Sequence, residues 1–208
     1  MSKLIPSSSL GSNTTTKTAR VGVLGLQGDF AEHLRTLRGI GAEAIDVRRP
    51  DQLDDIDGLI IPGGESTTIG KLAERYQIIP KLRERVAEGM PVWGTCAGAI
   101  FIAKDVPGHP HPIAALMDIS VERNAFGRQQ ESFEADLAVK GIGGKPYHAV
   151  FIRAPKITTT GNDVEALATL ADGTVVAARQ GNLLATSFHP ELTPDDRFHR
   201  FFLSFGRR

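Results

Sequence analysis

The chain has 208 residues, 41% of them hydrophobic, which is enough to bury one substantial core, so one domain is expected. Its 24 basic and 24 acidic residues balance, and a net charge of zero argues against a nucleic-acid backbone as partner, because such binding needs clustered positive charge. A single cysteine excludes an internal disulfide and a cysteine-rich metal site, so we predict no metal and a reducing, cytoplasmic setting.

The N-terminal segment is predicted to be a flexible tail. Residues 1–18 are rich in serine and threonine, lack acidic residues and show no apolar period. They also lack the apolar core of a secretory signal, and no later run approaches the roughly 20 apolar residues of a membrane span. We therefore expect a tail at 1–18 and one folded domain at 19–208.

The first half of the domain is predicted to alternate strands and helices. Apolar runs indicate strands in RVGVLGLQ, AEAIDVRRP, IDGLIIPGG and PVWGT, the third buried on both faces because its apolar residues are consecutive. Asp29 and Ser66 are predicted to cap helices. This order is typical of a parallel sheet whose loops meet at the carboxyl ends of the strands. The glycine-bearing loops at 27–28, 63–64 and 94–98 should therefore be neighbours.

The second half is predicted to add short antiparallel or mixed strands to the same sheet. Turn signals between about 118 and 188, such as the one at 180–182, indicate hairpins. A last helix is predicted with Thr193 as its cap and Pro194 at its first position. Together these elements predict an α/β fold, a three-layer α/β/α sandwich with a mostly parallel, mixed central sheet.

The only cysteine follows an apolar strand and lies in a glycine-flanked turn. In GTCAG, residues 94–98, Cys96 takes the place of the nucleophile in the sharp strand-to-helix turn of hydrolases. Glycines suit a turn in which backbone approaches too closely for a Cβ atom, and a helix N-terminus favours the thiolate. Cys96 is therefore predicted to be a nucleophile, although free cysteines more often only pack.

A thiol nucleophile needs a base and a third group that orients the base. His189 ends the apolar run LLATSF, and extended geometry would place Glu191 on the same side. His189 is predicted to be the base and Glu191 its partner, with a structural histidine at a strand end as the alternative. We expect His33 to be solvated on the polar side of the first helix, and His109 and His111 to lie in an exposed loop.

The loop IPGGES is predicted to contribute to an oxyanion hole. Attack on a carbonyl group develops negative charge that backbone N–H groups must stabilise. The N–H groups of Gly64 and of Ala97, which follows the nucleophile, are the predicted donors. A phosphate-binding loop is disfavoured because no Gly-Lys-Ser/Thr follows these glycines.

These residues resemble the class I, triad-type glutamine amidotransferase domains, which carry cysteine in G-x-C-x-G and a late H-P-E. The chain resembles more narrowly the glutaminase subunit of the two-protein pyridoxal 5'-phosphate synthase. The segments that carry this resemblance are GLQGDFAEH, PGGESTTIGKL, GTCAGAI, VERNAFGRQQESFEADL, FIRAP and ATSFHPELT. It runs from about residue 20 to the C-terminus, and the block 121–137 is its most discriminating part.

The resemblance implies a flavodoxin-like fold and the hydrolysis of L-glutamine to L-glutamate and ammonia. Cys96 would attack the amide, His189 would transfer protons and Glu191 would hold the imidazole. The residues that would surround the glutamine are Gly64, Glu65, Ser66, Arg123, Ile152 and Arg153. Ammonia would pass through a channel to a synthase subunit of a hetero-oligomeric complex that makes pyridoxal 5'-phosphate in vitamin B6 biosynthesis. This chain itself would bind no cofactor.

Three other functions are less favoured. A glutaminase subunit of another amidotransferase, such as imidazole glycerol phosphate synthase, ranks second because of the block 121–137. A cysteine peptidase or deglycase on a related sheet would not require glutamate two residues after histidine. A catalytically silent, regulatory glutaminase-like subunit is disfavoured because all three triad residue types are present.

Overall fold

The structure is a computed structural model that describes residues 18–123 and 132–205. Its helices and strands, in chain order, are β1 (Arg20–Leu24), α1 (Phe30–Gly39), β2 (Glu43–Val47), β3 (Gly58–Ile61), α2 (Ser66–Arg75), α3 (Ile78–Ala87), β4 (Val92–Thr95), α4 (Ala97–Ile102), β5 (Ala103–Asp105), β6 (Met117–Glu122), β7 (Ser132–Leu137), β8 (Tyr147–Ile152), β9 (Lys156–Thr160), β10 (Glu165–Thr169), β11 (Val175–Gln180), β12 (Leu183–Thr186) and α5 (Arg197–Leu203). Short 3₁₀ helices span Pro50–Asp55 and Pro190–Leu192.

Two sequence predictions fall wholly or partly outside these ranges. The tail at 1–18 is described only at its last residue, so the division into tail and domain stays a prediction. The discriminating block at 121–137 is described except for residues 124–131. Within the described ranges, no helix is both long enough and apolar enough to cross a membrane.

A large mixed sheet forms the centre of the molecule. Its strands follow the order β2-β1-β3-β4-β12-β11-β9-β6-β5, and β10 pairs with β11. The first five strands of this order run parallel to one another. The strand β11 is antiparallel to β12, β9 and β10, and β6 is antiparallel to β9 and parallel to β5. A parallel half with an added mixed half is the arrangement that the sequence predicted.

Helices cover both faces of this sheet. The residues of α2, α3 and α4 share one apolar cluster with one face, and those of α1 and α5 share a second cluster with the other. In β3, Leu59 and Ile61 belong to the first cluster and Ile60 to the second, so the whole strand is buried, as predicted. Consecutive apolar residues are what a strand covered on both faces requires.

The hairpin of β7 and β8 corrects the prediction for the second half. These strands form a separate two-stranded antiparallel sheet instead of extending the main one. In β8, Tyr147, Ala149 and Phe151 are buried, whereas alternate residues are exposed or half-buried. Such alternation is typical of a hairpin with one face exposed to solvent. A strand in a sheet that has helices on both faces has no solvent-exposed face. The hairpin instead packs its apolar face into the cluster that contains α5.

The start of the last helix was predicted wrongly. The helix α5 begins at Arg197, and Thr193 is extended, just after the 3₁₀ helix Pro190–Leu192. The intervening segment has other partners: Arg197 Nε donates to Asp195 Oδ1 at 2.9 Å, and Tyr147 Oη lies 3.4 Å from the carbonyl oxygen of Asp195. These side-chain contacts favour an irregular segment over an earlier first helical turn.

Two helix caps differ in detail from the prediction. Asp29 does precede α1, but its side chain makes no capping hydrogen bond. Glu65, and not Ser66, caps α2, because its carboxylate accepts from the Thr67 N–H at 3.3 Å. Ser66 is the first residue of the helix, and its side chain does not cap it.

Candidate active site

The three glycine-bearing loops meet at the carboxyl edge of the parallel strands, as predicted. A Cβ atom on Gly28 would lie 1.8 Å from the carbonyl oxygen of Gly63, and one on Gly98 would lie 2.0 Å from that of Ile61. The Asp29 N–H also donates to Gly63 O at 3.1 Å. Real Cβ atoms do not tolerate such distances, so glycine at 28 and 98 is what allows the loops to touch.

Cys96 occupies the sharp turn between β4 and α4. Its φ of 47° and ψ of −106° are values that residues with a side chain rarely adopt. The turn is held by the Cys96 N–H, which donates to Thr186 O at 2.8 Å, at the end of the neighbouring strand β12. The thiol is almost buried, and its Sγ lies 3.9 Å from Ile152 O. This strained backbone fixes the sulfur at the edge of the sheet.

His189 and Glu191 form a buried pair beside this sulfur. His189 Nδ1 donates to Glu191 Oε1 at 2.7 Å, and only 5% and 7% of the two residues are exposed. The backbone N–H of His189 donates to Val150 O at 2.9 Å, which ties the segment after β12 to β8. The pair therefore lies between the main sheet and the hairpin, and the imidazole ring of His189 is beside the thiol of Cys96.

The pKa shifts of His189 and Glu191 both favour the ionised form of the pair. Burial alone would lower the pKa of His189, but its hydrogen bonds with Cys96 and Glu191 outweigh burial and raise that pKa to about 10. Burial opposes the ionised form of Glu191 as well, yet the hydrogen bond from His189 and the close contact with His33 hold the pKa of this carboxyl well below its usual range. The arrangement is that of an activated nucleophile with an oriented base.

His33 is not solvated, and the prediction for it was wrong. The residue is 0% exposed, its Nε2 lies 3.3 Å from Glu191 Oε2, and its Nδ1 lies 2.9 Å from His199 Nε2. On α1 it shares the buried face with Leu34 and Leu37. Positions 30, 33, 34 and 37 follow the i, i+3, i+4, i+7 stripe of a helix face, so the sequence did carry the signal for its burial.

A cavity of about 440 Å³ opens in front of the thiol. Its lining residues are Gln27, Asp29, Gly64, Glu65, Ser66, Cys96, Ala97, Ile100, Arg123, Ile152, Arg153 and His189. Every residue predicted to bind glutamine, to form the oxyanion hole or to perform the chemistry is in this set, except Glu191, which lies behind His189. The structure therefore brings the predicted site together from loops far apart in sequence.

Three lining residues were missed, namely Gln27, Asp29 and Ile100. Gln27 has a clear structural task, because its Oε1 accepts from the Glu65 N–H at 2.7 Å and so joins the first glycine loop to the second. The sequence could have indicated this residue, because the loop at 27–28 was expected at the carboxyl edge of the parallel strands. Ile100 lies on α4 one turn after the nucleophile, and nothing in its type distinguishes it from a core residue.

Both signs of charge face the cavity. The guanidinium of Arg123 lies 3.4 Å from Glu65 Oε1, and Arg153 is exposed with a φ of 43°. Burial, with Glu191 nearby, raises the pKa of Asp29. Ser66 Oγ is buried and has no hydrogen-bond partner among the described residues. An amino acid presents a carboxylate and an ammonium group, and this set of side chains offers partners for both.

The histidine loop was predicted to be exposed and is instead half-buried. The rings of His109 and His111 meet edge to face with centroids 5.4 Å apart. His109 Nδ1 accepts from Arg123 Nη1 at 3.2 Å, so this loop supports an arginine of the cavity. Burial and the guanidinium both lower the pKa of His109, which keeps the ring neutral and able to accept.

One group of side chains has the composition of a metal site. Ligand atoms of Asp29, His189 and Glu191 lie within 4.8 Å of one another. Nδ1 of His189 and Oε1 of Glu191 are already joined by their 2.7 Å hydrogen bond, so a metal ion would have to break that pair. The geometry fits proton transfer better than metal binding, and the expectation of no metal stays a prediction.

Comparison with known proteins decides the family. The model described as the SNO glutamine amidotransferase family matches residues 23–206. The chain belongs to this family. Pyridoxal 5'-phosphate synthase subunit PdxT of Herpetosiphon aurantiacus is 57% identical over 186 residues, which cover 88% of this chain and 98% of the relative. The protein of the same name from a Roseiflexus species is 58% identical over 186 residues, with the same coverage.

Solved structures agree with this assignment. One described as a glutamine amidotransferase superposes with a TM-score of 0.84 at 55% identity and covers 88% of this chain and 96% of its own. The structure of PurLQS from Thermotoga maritima gives a TM-score of 0.66 at 16% identity, with coverage of 89% and 98%, and shares the fold. The SNO family membership confirms the predicted resemblance, the α/β fold of the class I glutamine amidotransferases and the glutaminase activity.

Proposed function

We propose that this SNO family member hydrolyses L-glutamine with Cys96, His189 and Glu191 and delivers the ammonia to a separate synthase subunit that makes pyridoxal 5'-phosphate. The observation that carries the proposal is the buried His189–Glu191 pair beside a thiol on a strained turn, at the inner end of a cavity with both signs of charge. The PdxT relatives, 57% and 58% identical over most of the chain, support the choice of pathway over another amidotransferase.

The first half of the proposed reaction forms a thioester. The Cys96 thiolate attacks the side-chain carbonyl carbon of glutamine, and a new C–S bond forms while the carbonyl oxygen becomes an oxyanion. His189 then gives its proton to the amide nitrogen, the C–N bond breaks, and ammonia leaves. Glu191 keeps the imidazole oriented and stabilises its positive charge throughout.

The second half regenerates the enzyme. The neutral His189 takes a proton from a water molecule, and the resulting hydroxide attacks the thioester carbon. The C–S bond then breaks, which releases glutamate and restores the thiolate and imidazolium. We assign the oxyanion of both steps to the N–H groups of Gly64 and Ala97, since one lies on the second glycine loop and the other begins α4.

Glutamine recognition is proposed to use both charge types of the cavity. Arg123 and Arg153 suit the α-carboxylate, and Glu65 suits the α-ammonium group. The buried, unpartnered hydroxyl of Ser66 suits a polar atom of the substrate, because a buried polar group without a partner is costly. Ile152, at the end of β8, contributes an apolar wall and its carbonyl group.

Further proposals concern the setting of this reaction. A hetero-oligomeric complex with a channel for ammonia would prevent the loss of a small, diffusible product. The one unpaired thiol suits the reducing cytoplasm. The catalytic domain would comprise residues 19–208, and the pyridoxal compound would be a product of the partner and not a cofactor bound here.

The test compares two nitrogen sources in the complex with the synthase subunit. Cys96→Ala is expected to abolish pyridoxal 5'-phosphate formation from glutamine but to leave formation from an ammonium salt intact. His148→Gln, at an exposed histidine outside the cavity, serves as the control and should keep both reactions. Retained glutamine-driven synthesis in the Cys96 variant would contradict the role of the thiol. Loss of the ammonium-driven reaction as well would contradict the division of labour.

A further inference from the structure

Two histidines that the proposed reaction does not use lie directly behind the triad. His33 on α1 and His199 on α5 are both completely buried, and their rings are in contact with a centroid distance of 5.1 Å. Trp93 packs edge-on against both rings. Buried polar groups generally have hydrogen-bond partners, so the contacts of each ring nitrogen indicate what the two histidines do.

The polar contacts of the two rings form a line that ends at the triad. His199 Nε2 lies 2.9 Å from His33 Nδ1, and His33 Nε2 lies 3.3 Å from Glu191 Oε2. The same nitrogen of His33 lies 3.4 Å from Thr95 Oγ1. Glu191 accepts from His189 through its other oxygen, Oε1. Oε2 is buried and makes no hydrogen bond of standard geometry among the described residues, so its 3.3 Å approach to His33 Nε2 is an ionic contact.

The chemistry of these contacts fixes where the protons lie. Burial lowers the pKa of His199 to about 3, so His199 is neutral and carries one N–H. Its Nδ1 is buried with no hydrogen-bond partner among the described residues, and a buried orphan donor is rarer than a buried orphan acceptor. The proton of His199 therefore belongs on Nε2, from which it donates to His33 Nδ1.

The proton of His33 is then determined in turn. Because Nδ1 accepts from His199, it carries no proton, and the N–H of His33 is on Nε2, the nitrogen that faces Glu191 and Thr95. The opposite tautomers would direct a lone pair of His33 at the carboxylate and would leave the Nδ1–H of His199 without a partner. The other charged groups nearby are Asp29 and His189.

From this geometry we propose that His33 is a positioning residue that holds the second oxygen of Glu191, and that His199 fixes the tautomer of His33. The proposal rests on the proposed function, because it assigns the orienting carboxylate to Glu191. Without the His33 N–H, the carboxylate could rotate about its last bond and the imidazole of His189 would lose its fixed direction toward the sulfur. Outer partners of this kind determine how well a reactive group is oriented.

The first test measures the tautomers directly. The chain has six histidines, so side-chain ¹⁵N–¹H spectra of ¹⁵N-histidine-labelled protein at neutral pH can be assigned by single substitutions. We expect His33 and His199 to show the neutral Nε2–H form. A neutral Nδ1–H form of His33, or a charged ring, would overturn the proposal. This result does not depend on glutamine hydrolysis, so it decides the proposal even if the proposed function fails.

The second test measures glutamine turnover by the complex with the synthase subunit. His33→Leu is expected to lower kcat about 10-fold to 100-fold, less than the roughly 10⁴-fold cost of disabling an orienting carboxylate. The KM for glutamine should stay unchanged, because His33 does not line the cavity. His33→Gln, whose amide places an N–H near the position of Nε2, should recover most of kcat.

Leu37→Ala is the matched control for the fold. It lies one turn further along α1, is equally buried and carries no polar group. We expect it to lower Tm but to leave kcat unchanged. If Leu37→Ala reduces kcat as much as His33→Leu does, or if His33→Gln is as impaired as His33→Leu, the role of His33 is only to pack and the proposal is wrong. A wild-type complex without glutaminase activity would instead contradict the proposed function.

Discussion

Two cavities of similar size in this protein each contain a histidine and carboxylates. The first, of about 440 Å³, contains His189, and the second, of about 520 Å³, contains His148 with Glu134 and Asp136. His148 is paired at 2.9 Å on both ring nitrogens, whereas His189 is paired at 2.7 Å with Glu191 through Nδ1. The side chain of His148 is 52% exposed and that of His189 is 6% exposed.

The difference shows what turns a histidine–carboxylate pair into a reactive group. In the exposed cluster, both nitrogens of His148 face carboxylates, so none is left for a substrate or a nucleophile, and water screens the charges. In the buried pair, Glu191 engages one nitrogen and leaves the other side of the ring for Cys96. Burial strengthens the interaction and holds one geometry. Matched substitutions in the two cavities test this contrast.

The largest difference between the two cavities is expected when one carboxylate in each is replaced by an amide. Glu191→Gln should lower kcat for glutamine hydrolysis by roughly 10³-fold to 10⁴-fold, because an amide no longer stabilises the imidazolium or fixes its tautomer. Glu134→Gln changes the exposed cluster in the same way and should leave kcat unaltered. Steady-state kinetics of the two variants in complex with the synthase subunit measure this. Equal losses in both would contradict the contrast.

A smaller difference in the KM for glutamine is expected when one basic side chain in each cavity is replaced by glutamine. Arg123→Gln should raise the KM for glutamine about 10-fold to 100-fold, since a hydrogen bond between charged partners contributes about 1.5–3 kcal/mol. Lys145→Gln, in the second cavity, should leave KM unchanged. Initial rates over a range of glutamine concentrations separate KM from kcat. An unchanged KM for the Arg123 variant would remove this residue from the proposed binding set.

The smallest effect concerns stability and its dependence on pH. The pKa of His189 is raised from 6.5 to about 10, so its stabilising contribution is complete below pH 6.5 and is lost as the pH rises towards about 10. Glu191, whose pKa is lowered, contributes above pH 4.5 and loses this contribution as the pH falls. The Tm difference between wild type and His189→Gln should therefore be largest between about pH 4.5 and 6.5 and shrink above this range.

The exposed histidine provides the control for this pH dependence. Hydrogen bonds to Asp136 and then Glu134 raise the pKa of His148 as well, so His148→Gln should show the same direction of change. The cluster is open to water, and its effect should be small and should vanish in high salt. Thermal melts of both variants from pH 4 to pH 10 make the comparison. A larger pH dependence for the His148 variant would contradict it.

The sequence predicted the parallel half of the fold and the composition of the cavity well. Consecutive apolar residues in β3 and glycines at strand ends carry direct physical meaning, because they report double burial and close backbone approach. Cys96 and His189 end up in one cavity because parallel strands place their carboxyl ends at one edge. Local patterns therefore sufficed to predict that Cys96, His189 and the glycine loops meet, whereas Arg123, Ile152 and Arg153 were implied by the resemblance alone.

The failures concern features that are decided by tertiary contacts. The burial of His33 depends on α5, which lies 166 positions away at its contact residue His199. The separate hairpin of β7 and β8 depends on which face finds an apolar partner, and the late start of α5 depends on contacts of Asp195. The helical stripe that contains His33 indicates burial, whereas the polar type of the residue favours solvent, and only the contact with α5 decides between them.

The central claim is that the thiol of Cys96 forms a covalent bond with glutamine in this cavity. Rapid acid quenching of the turning-over complex, followed by intact and peptide mass spectrometry, tests it most directly, and the single cysteine makes the site of modification unambiguous. We predict a glutamyl thioester on the peptide that contains Cys96, and none in Cys96→Ala. Turnover of glutamine by Cys96→Ala, or a glutamyl group attached to any other residue, would contradict the account.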